Sequence, residues 1–201
     1  WMTIFRGAAV ETGPARNTSA GTGAPGAGKG TQATELASIL GIVHISTGDI
    51  FRKNVAEGTA LGVEAKRYMD AGEYVPDSIT NGMVRDRLAQ ADAINGFLLD
   101  GYPRTLNQIH ELDSMLKSLG QTLDLVIEIV ADTDVVVQRL TARAAQEGRS
   151  DDGADVMRHR LDVYAEQTAP ITKVYGERGL VRQVDGIGTV AEVTDRIMAH
   201  L

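Results

Sequence analysis

The ten residues GAPGAGKGTQ, from Gly23 to Gln32, constrain the fold of this chain more than any other stretch. Their glycines let the backbone turn tightly and direct its N–H groups inward, and a helical pattern follows at once. Lys29 is positioned to reach terminal phosphates, and Thr31 offers a hydroxyl to Mg²⁺. The spacing G-x-x-x-x-G-K is complete, although Gly30 stands where Ser or Thr usually follows. The stretch predicts a phosphate-binding loop, and Lys29 and Thr31 at these offsets disfavour the alternative of a flexible glycine linker.

The overall composition narrows the classes of function. The 201 residues favour one domain with a sizeable core. No apolar run approaches the ~20 residues of a membrane span. The formal net charge of −7 disfavours a duplex nucleic-acid binder, so any anionic ligand must be met by locally clustered arginines. The chain has no cysteine, which excludes a disulfide framework and a thiolate metal site and fits a cytoplasmic protein.

Strand-like and helix-like segments alternate along the chain. Strands are predicted at 42–46, at 96–100 from a short apolar run, at 123–131 from a segment rich in Val and Ile, and at 180–186. Helical patterns predict helices at 28–40, 47–57, 60–71, 106–119, 133–145, 155–175 and 189–201, and a further helix that opens at Pro76. The long helix is expected to be interrupted or to end near Pro170. This alternation predicts an α/β fold with a parallel sheet and helices on both faces.

The segment GYPRTLNQ, residues 101–108, directly follows an apolar run that ends in Asp100. An aspartate at a strand end beside a phosphate loop is placed to hold metal-bound water. Arg104 is suited to clamping a phosphate bidentately, and Gln108, one helical turn on, to reading a base edge with its amide. A turn with a solvated arginine is the alternative, and the phosphate loop upstream disfavours it.

The segment ISTGDIFR, residues 45–52, places Thr47 and Arg52 after a short predicted strand. Both residues are candidate ligand contacts. The alternatives are a helix N-cap for Thr47 and a plain surface position for Arg52. The segment alone does not decide between these interpretations.

Arginines recur in the second half of the chain. They are Arg139 and Arg143, four residues apart on one predicted helix face, Arg149 in GRSDD, and Arg158 and Arg160 in RHR. A phosphoryl-transfer site needs several cations, because the charge of the transferred group is spread over its oxygens. The acidic residues 151–152 could orient these arginines. A solvated charged face is the alternative, and it is the preferred interpretation for Arg158.

These segments occur in the order found in one enzyme family. In sequence they read GAPGAGKGTQ, ISTGDIFR, GEYVPDSIT, GFLLDGYPRTLNQ, RLTAR, GRSDD, RHRLDVYAEQTAPI and VDGIGTV. From about Gly23 to its C-terminus the chain resembles the adenylate kinases, in a bacterial short-lid form. The resemblance implies a P-loop NTPase-type parallel β-sheet with helices on both faces. It also implies reversible phosphoryl transfer from Mg-ATP to AMP, giving two ADP, in the cytoplasm.

The resemblance implies roles for particular residues. ATP would be bound by Gly26, Ala27, Gly28, Lys29, Gly30, Thr31, Arg143 and Gly188. AMP would be bound by Thr47, Arg52, Glu73, Tyr74, Val75, Gly101, Tyr102, Pro103, Arg104, Gln108, Arg149 and Arg160. The catalytic residues would be Lys29, Arg104, Arg139, Arg143, Arg149 and Arg160. The Mg²⁺ ion would be held by Thr31 and Asp100, through water.

The resemblance also implies a domain organisation. Residues 1–201 would form one nucleoside-monophosphate kinase domain with its core at 22–45, 76–141 and 153–201. A mobile AMP-binding lobe would span 46–75, a short lid 142–152, and an atypical N-terminal segment 1–21. The expected partners are ATP, AMP and ADP with Mg²⁺, and no zinc, nucleic acid or membrane. A monomer is expected.

Other functions stay open at this stage. Within the class, the rival is a kinase for another nucleoside monophosphate, although Thr47 together with Gln108 favours AMP. From another class, the rival is a non-catalytic nucleotide-binding protein whose phosphate loop is misplaced. A protein without a nucleotide site is the least favoured, because the lysine, the aspartate and the arginines of the motifs occur together.

The segment before the phosphate loop departs from the family pattern. The resemblance implies a central strand, buried on both faces and therefore apolar, that runs directly into the loop. Residues 13–22, GPARNTSAGT, contain Pro14 and no large apolar residue, so they have poor strand propensity. The apolar opening, WMTIFRGAAV, could supply the strand only if residues 7–22 looped out, which would break the direct connection.

Three explanations of this departure are compatible with the sequence. Residues 13–22 form the strand with weaker packing; or the start has been altered, for example by a shifted reading frame before the loop; or the chain has lost activity. Each lost buried branched side chain would cost about 1.5–3 kcal/mol, and several would approach a domain's whole stability of roughly 5–15 kcal/mol. The sequence therefore predicts an adenylate kinase fold with a damaged central strand.

Overall fold

The computed structural model describes residues 2–5, 28–130 and 154–201. The strands are β1 (Met2–Phe5), β2 (Val43–Ser46), β3 (Phe97–Asp100), β4 (Leu125–Val130) and β5 (Val181–Asp185). The helices are α1 (Lys29–Leu40), α2 (Thr47–Glu57), α3 (Ala60–Ala71), α4 (Asp77–Leu88), α5 (Leu106–Ser118), α6 (Ala154–Val163), α7 (Ala169–Glu177) and α8 (Val190–Met198). The predicted strands from residue 42 onward are confirmed. The helix predicted at 133–145 lies outside the described residues.

The five strands form one sheet in the order β2-β3-β1-β4-β5. The pairs β2/β3 and β4/β5 are parallel, as the alternation of strands and helices predicts. Helices cover both faces. On one face α1 and α8 pack on Leu98 and Ile127, and on the other α4, α5 and α7 pack on Leu99 and Val126. Neighbouring strand residues therefore point into opposite cores, and the α/β prediction is confirmed.

The central strand of the sheet is β1, which comes from the apolar run at the start of the sequence. Thr3 pairs with Leu99 of β3 and with Val126 of β4, and both of these neighbours are fully buried. A strand between two fully buried neighbours needs an apolar sequence, which the opening run has and residues 13–22 lack. The opening run therefore supplies the central strand.

The direction of β1 differs from what the resemblance implies. The strand runs antiparallel to both neighbours, with Met2 beside Asp100 and Phe5 beside Phe97. Its C-terminal end therefore lies at the edge of the sheet opposite to Asp100, whereas α1 begins next to Asp100. As a result, β1 does not run directly into the phosphate loop.

The long predicted helix at 155–175 is interrupted, as expected from Pro170. Helix α6 passes into a π-helical turn at Tyr164–Thr168, and α7 follows with Pro170 in its first turn. Proline has no N–H and its ring crowds the carbonyl four residues earlier. A single wide turn before the proline accommodates this defect and keeps the chain helical.

The helices α2 and α3 pack closely against each other beside the main core. Their apolar contacts centre on Phe51, Ala65 and Val75. Gly62 of α3 is buried, and the backbone of Asn54 in α2 lies directly against it. A side chain at Gly62 would therefore overlap the Asn54 carbonyl, so glycine sets how closely the two helices approach.

Replacing Gly62 by alanine should lower stability by about 1–3 kcal/mol, because the added methyl group pushes α2 and α3 apart. Gly82→Ala in α4 is the matched control, since that helical glycine faces open space. It should raise stability by about 0.5–1 kcal/mol. Thermal unfolding of both variants measures the difference. Equal melting temperatures would show that the two helices do not pack as described.

Candidate active site

The first turn of α1 faces the end of β3. Gly28 precedes the helix with a φ of 86°, in the left-handed region that favours glycine, and Lys29 begins the helix. A Cβ placed on Gly30 would lie 3.7 Å from Oδ2 of Asp100. Thr31 is exposed on the same turn. Lys29 is close enough to the Asp100 carboxylate to lower its pKa, and Thr31 belongs to the same helical turn. Gly26 and Ala27 lie outside the described residues.

The Asp100 carboxylate is nearly enclosed, with 14% of its side chain exposed. Its Oδ2 lies 3.8 Å from Nε2 of His44. Burial raises the pKa of the Asp100 carboxyl, but the His44 ring and the Lys29 ammonium outweigh burial, so its pKa falls below the ordinary value. The group is therefore an anion at neutral pH and can accept hydrogen bonds from metal-bound water.

A cleft lies between α2, α3 and the loop that follows β3. Most of the residues predicted to bind AMP line it, namely Thr47, Arg52, Glu73, Tyr74, Val75, Gly101, Arg104, Gln108 and Arg160. Five further lining residues were not among the sequence-based candidates, namely Gly48, Phe51, Met69, Gly72 and Thr80. The signal for Phe51 was present, because it lies one helical turn after Thr47 and shares its face of α2.

Thr47 ties the start of α2 to the end of β3 and is not a helix cap. Its Oγ1 donates to the carbonyl of Gly101 at 3.1 Å, and its side chain is buried. The N-cap of α2 is instead Ser46, whose hydroxyl accepts from the N–H of Asp49. The alternative interpretation of Thr47 as an N-cap is therefore wrong. Arg52 pairs with Asp49, has 31% of its side chain exposed, and lines the cleft.

Arg104 is held by contacts on three sides. Its Nε donates to the carbonyl of Gly101 at 2.8 Å, and its guanidinium lies 5.0 Å from the centre of the Tyr74 ring. Its carbonyl accepts from Oγ1 of Thr168 at 3.0 Å, and the same hydroxyl lies 2.7 Å from the Tyr74 hydroxyl. These contacts orient the cation along the wall of the cleft, so the turn is not a loop with a solvated arginine.

Two residues predicted to bind AMP lie behind the wall of the cleft. Tyr102 and Pro103 are buried, and neither lines the cleft. The Tyr102 hydroxyl donates to Oδ1 of Asn81 at 2.8 Å, and burial raises its pKa. Tyr102 and Pro103 therefore support the loop between Gly101 and Arg104 from the interior of the protein.

At the far wall of the cleft, the residues that follow α3 contact α6. Oε1 of Glu73 lies 2.6 Å from Nε2 of His159, within hydrogen-bond distance. The Arg160 side chain packs against Gly72 and lines the cleft, whereas its neighbour Arg158 is exposed. This difference agrees with the sequence-based preference for Arg158 as a surface residue.

Gly188 lies near α1, away from the cleft. It has a φ of 131° and precedes α8, where the side chains of Thr189 and Glu192 form a capping box. Gln32 of α1 donates to the carbonyl of Val190 at 3.0 Å. The start of α8 is therefore tied to the helix that carries Lys29. Arg139, Arg143, Arg149 and the predicted lid at 142–152 lie outside the described residues.

Comparison with known proteins decides the family. Residues 22–180 match the family model described as adenylate kinase. The chain belongs to the adenylate kinase family. It is 60% identical over 179 residues to the adenylate kinase of Nocardioides sp., covering 89% of this chain and 94% of that protein. The adenylate kinases of Kocuria rhizophila and Thermobifida fusca are 59% and 57% identical, each over 89% of this chain and 95% of their own length.

The similarity to adenylate kinases confirms several predictions made from the sequence. The family, the α/β fold and the ATP:AMP phosphotransferase activity are those expected. The family match begins at residue 22, so β1 lies outside it. In the residues that the structure describes, no helix is long and apolar enough to span a membrane.

Proposed function

We propose that the cleft binds AMP, that the first turn of α1 and the loop before it bind the phosphates of ATP, and that phosphoryl transfer takes place between the two. The observation that carries this proposal is the adjacency of the two sites at the end of β3. Asp100 faces Gly30 of α1, and the next residue, Gly101, lines the cleft. Nucleotides bound at both places would therefore meet with their phosphates together.

Cations and helix geometry supply the chemistry that the transfer needs. The backbone N–H groups at the start of α1 and the Lys29 ammonium would hold the terminal phosphates of ATP. From the cleft, Arg52, Arg104 and Arg160 would approach the phosphate of AMP. The family resemblance adds Arg139, Arg143 and Arg149 around the transferred group. Because the acceptor is itself a phosphate, the reaction needs positioned positive charge and no general base from the protein.

The residues at α1 fit a magnesium ion bound together with the nucleotide. The Asp100 carboxylate is anionic and faces the first turn, where the Thr31 hydroxyl is exposed. In the described ranges no group of three His, Cys, Asp or Glu side chains could hold a metal ion, so phosphates and water would complete the ligand set. Thr31 and Asp100 would hold Mg²⁺ there, and the ion would neutralise charge on the ATP phosphates.

The domain organisation follows from the same assignment. Residues 46–75 would act as the mobile AMP-binding lobe and 142–152 as the lid. Their closure would exclude water from the transferred phosphoryl group and so prevent ATP hydrolysis. We assign the protein as a cytoplasmic monomer, and AMP as the acceptor because Thr47 and Gln108 both contribute to the cleft.

Arg104→Ala tests the AMP site by titration calorimetry. We expect the Kd for AMP to rise about 10–100-fold, because a charged hydrogen bond to phosphate is lost, while the Kd for Mg-ATP stays within about twofold. Arg85→Ala, which removes an exposed ion pair with Glu111 outside the cleft, is the matched control. Equal weakening of both nucleotides would refute separate sites. Preferred binding of CMP, UMP or GMP by the parent protein would favour a kinase for another monophosphate.

A further inference from the structure

The side-chain amide of Gln108 is fixed in one orientation inside the wall of the cleft. Its Oε1 accepts from the backbone N–H of Arg104 at 2.7 Å, and its Nε2 donates to Oδ1 of Asp77 at 2.6 Å. A backbone N–H can only donate and a carboxylate can only accept. The two partners therefore exclude the flipped amide. The side chain is 2% exposed, so neither contact is readily replaced by bulk water.

Asp77 gathers several donors from the start of α5. Its Oδ2 accepts from the Thr105 hydroxyl at 2.8 Å and from Nδ2 of Asn107 at 3.1 Å, in addition to the bond from Gln108 to Oδ1. Thr105 is the N-cap of α5, and its hydroxyl accepts from the N–H of Gln108 at 3.2 Å. The carboxylate lies in the first turn of α4, where the helix dipole favours an anion. Asp77 thereby holds the Gln108 side chain in place between the first turn of α4 and the start of α5.

The fixed amide has one free donor and one free acceptor direction. Adenine offers a donor at its 6-amino group beside the acceptor N7, whereas a 6-oxopurine offers two acceptors at the same edge. An amide of fixed orientation can pair with adenine and leaves an acceptor facing an acceptor for the 6-oxopurine. An amide that can rotate presents either its donor or its acceptor to the 6-position, so part of the discrimination between adenine and the 6-oxopurine is lost.

We propose that Asp77, which does not line the cleft, is a positioning residue that sets base selectivity by fixing the Gln108 amide. The proposal rests on the assignment of the cleft as the AMP site. It predicts that selectivity for adenine over a 6-oxopurine depends on a carboxylate that touches no substrate. Inosine monophosphate is the appropriate comparison, because it differs from AMP only in the 6-oxo group and the accompanying proton on N1, without adding bulk.

The test is steady-state kinetics of Asp77→Ala with AMP and with inosine monophosphate as acceptors. We expect KM for AMP to rise about tenfold and the AMP:IMP ratio of kcat/KM to fall at least about tenfold, because a buried donor of Gln108 loses its acceptor. KM for ATP should not change, and kcat at saturating AMP should fall less than about threefold. Asp77→Asn keeps one acceptor oxygen for Gln108 and should restore most of the ratio.

The controls separate this role from a purely structural one. Asp113→Ala breaks a two-bond pair with Arg178 between α5 and the end of α7, away from the cleft, and should leave the ratio unchanged. If Asp77→Ala does not fold, Asp77→Ser is measured instead, since serine suits a first helical turn but is too short to reach Gln108. An unchanged ratio in the folded variant overturns the proposal.

A parallel Gln108→Ala variant distinguishes a failure of the AMP-site assignment from a failure of the positioning role of Asp77. If this variant keeps the AMP:IMP ratio of the parent protein, the assignment of the cleft as the adenine site fails. If it loses the ratio and the Asp77 variants do not, the AMP site stands and the positioning role of Asp77 fails. Loss of the ratio in both, with rescue by Asp77→Asn, is the predicted result.

Discussion

Replacing Lys29 by methionine is expected to lower kcat for ADP formation by about 10³-fold or more. Methionine has nearly the length of lysine but no charge, so the first turn of α1 keeps its shape while a cation is lost from the phosphates. Removing one preorganised charge or donor from a phosphoryl- or acyl-transfer site typically costs about 10²–10⁵-fold. The rate of ADP formation from ATP, AMP and Mg²⁺ measures the effect.

The control for this variant is Lys66→Met on α3. Lys66 is about half exposed, pairs with Asp70, and does not line the cleft. Its replacement should leave kcat and KM within about twofold, since an exposed pair contributes little. Activity of Lys29→Met close to that of Lys66→Met would mean that the first turn of α1 does not bind the transferred phosphates.

Replacing Thr3 by proline is expected to give the largest loss of stability of any single change considered for this chain. Thr3 lies between β3 and β4, so its N–H belongs to the interior of the sheet. Proline removes that donor and its ring does not fit a central strand, at a cost of about 3 kcal/mol or more. For a domain of this size the melting temperature should fall by roughly 6–12 °C. Thermal unfolding followed by circular dichroism measures it.

Thr3→Ala keeps the backbone N–H and should cost less than about 1 kcal/mol. Ala20→Pro addresses the alternative that residues 13–22 form the inner strand. That alternative predicts a large loss for Ala20→Pro and a small one for Thr3→Pro, which is the reverse of the order expected here. Similar melting of Thr3→Pro and Thr3→Ala would show that β1 is not an interior strand.

The strands from residue 42 onward could be predicted from sequence because their signal is local. The inner strands β3 and β4 are short apolar runs between turn residues, as expected for strands covered on both faces. The edge strands β2 and β5 are less buried, but both contain β-branched residues that favour a strand. The place of β1 was not predictable in the same way. Residues 2–5 pair with partners near residues 98 and 126, which are far away in sequence. This pairing depends on which upstream apolar segment best fits between β3 and β4, and the local sequence does not indicate the choice.

Some residues of the candidate site could likewise be predicted from the sequence, and others could not. Arg104 and Gln108 could be predicted because the chemistry of guanidinium and amide groups is specific and both follow a strand end. The role of Asp77 was missed, since its three contacts come from residues about 30 positions later and an acid in a first helical turn has an ordinary explanation. The sequence left open whether Thr47 caps α2 or contacts a ligand, because the neighbouring Ser46 and Thr47 both suit an N-cap position.

Transfer of ³²P from γ-labelled ATP to AMP tests the central claim most directly. We predict labelled ADP that forms only when AMP, ATP and Mg²⁺ are all present, in a one-to-one ratio with the ATP consumed, and that is lost in Lys29→Met. A well-folded sample that binds ATP but yields no labelled ADP, or that releases the label as inorganic phosphate regardless of AMP, would contradict it. Such a result would mean that the two nucleotide sites do not meet at the end of β3.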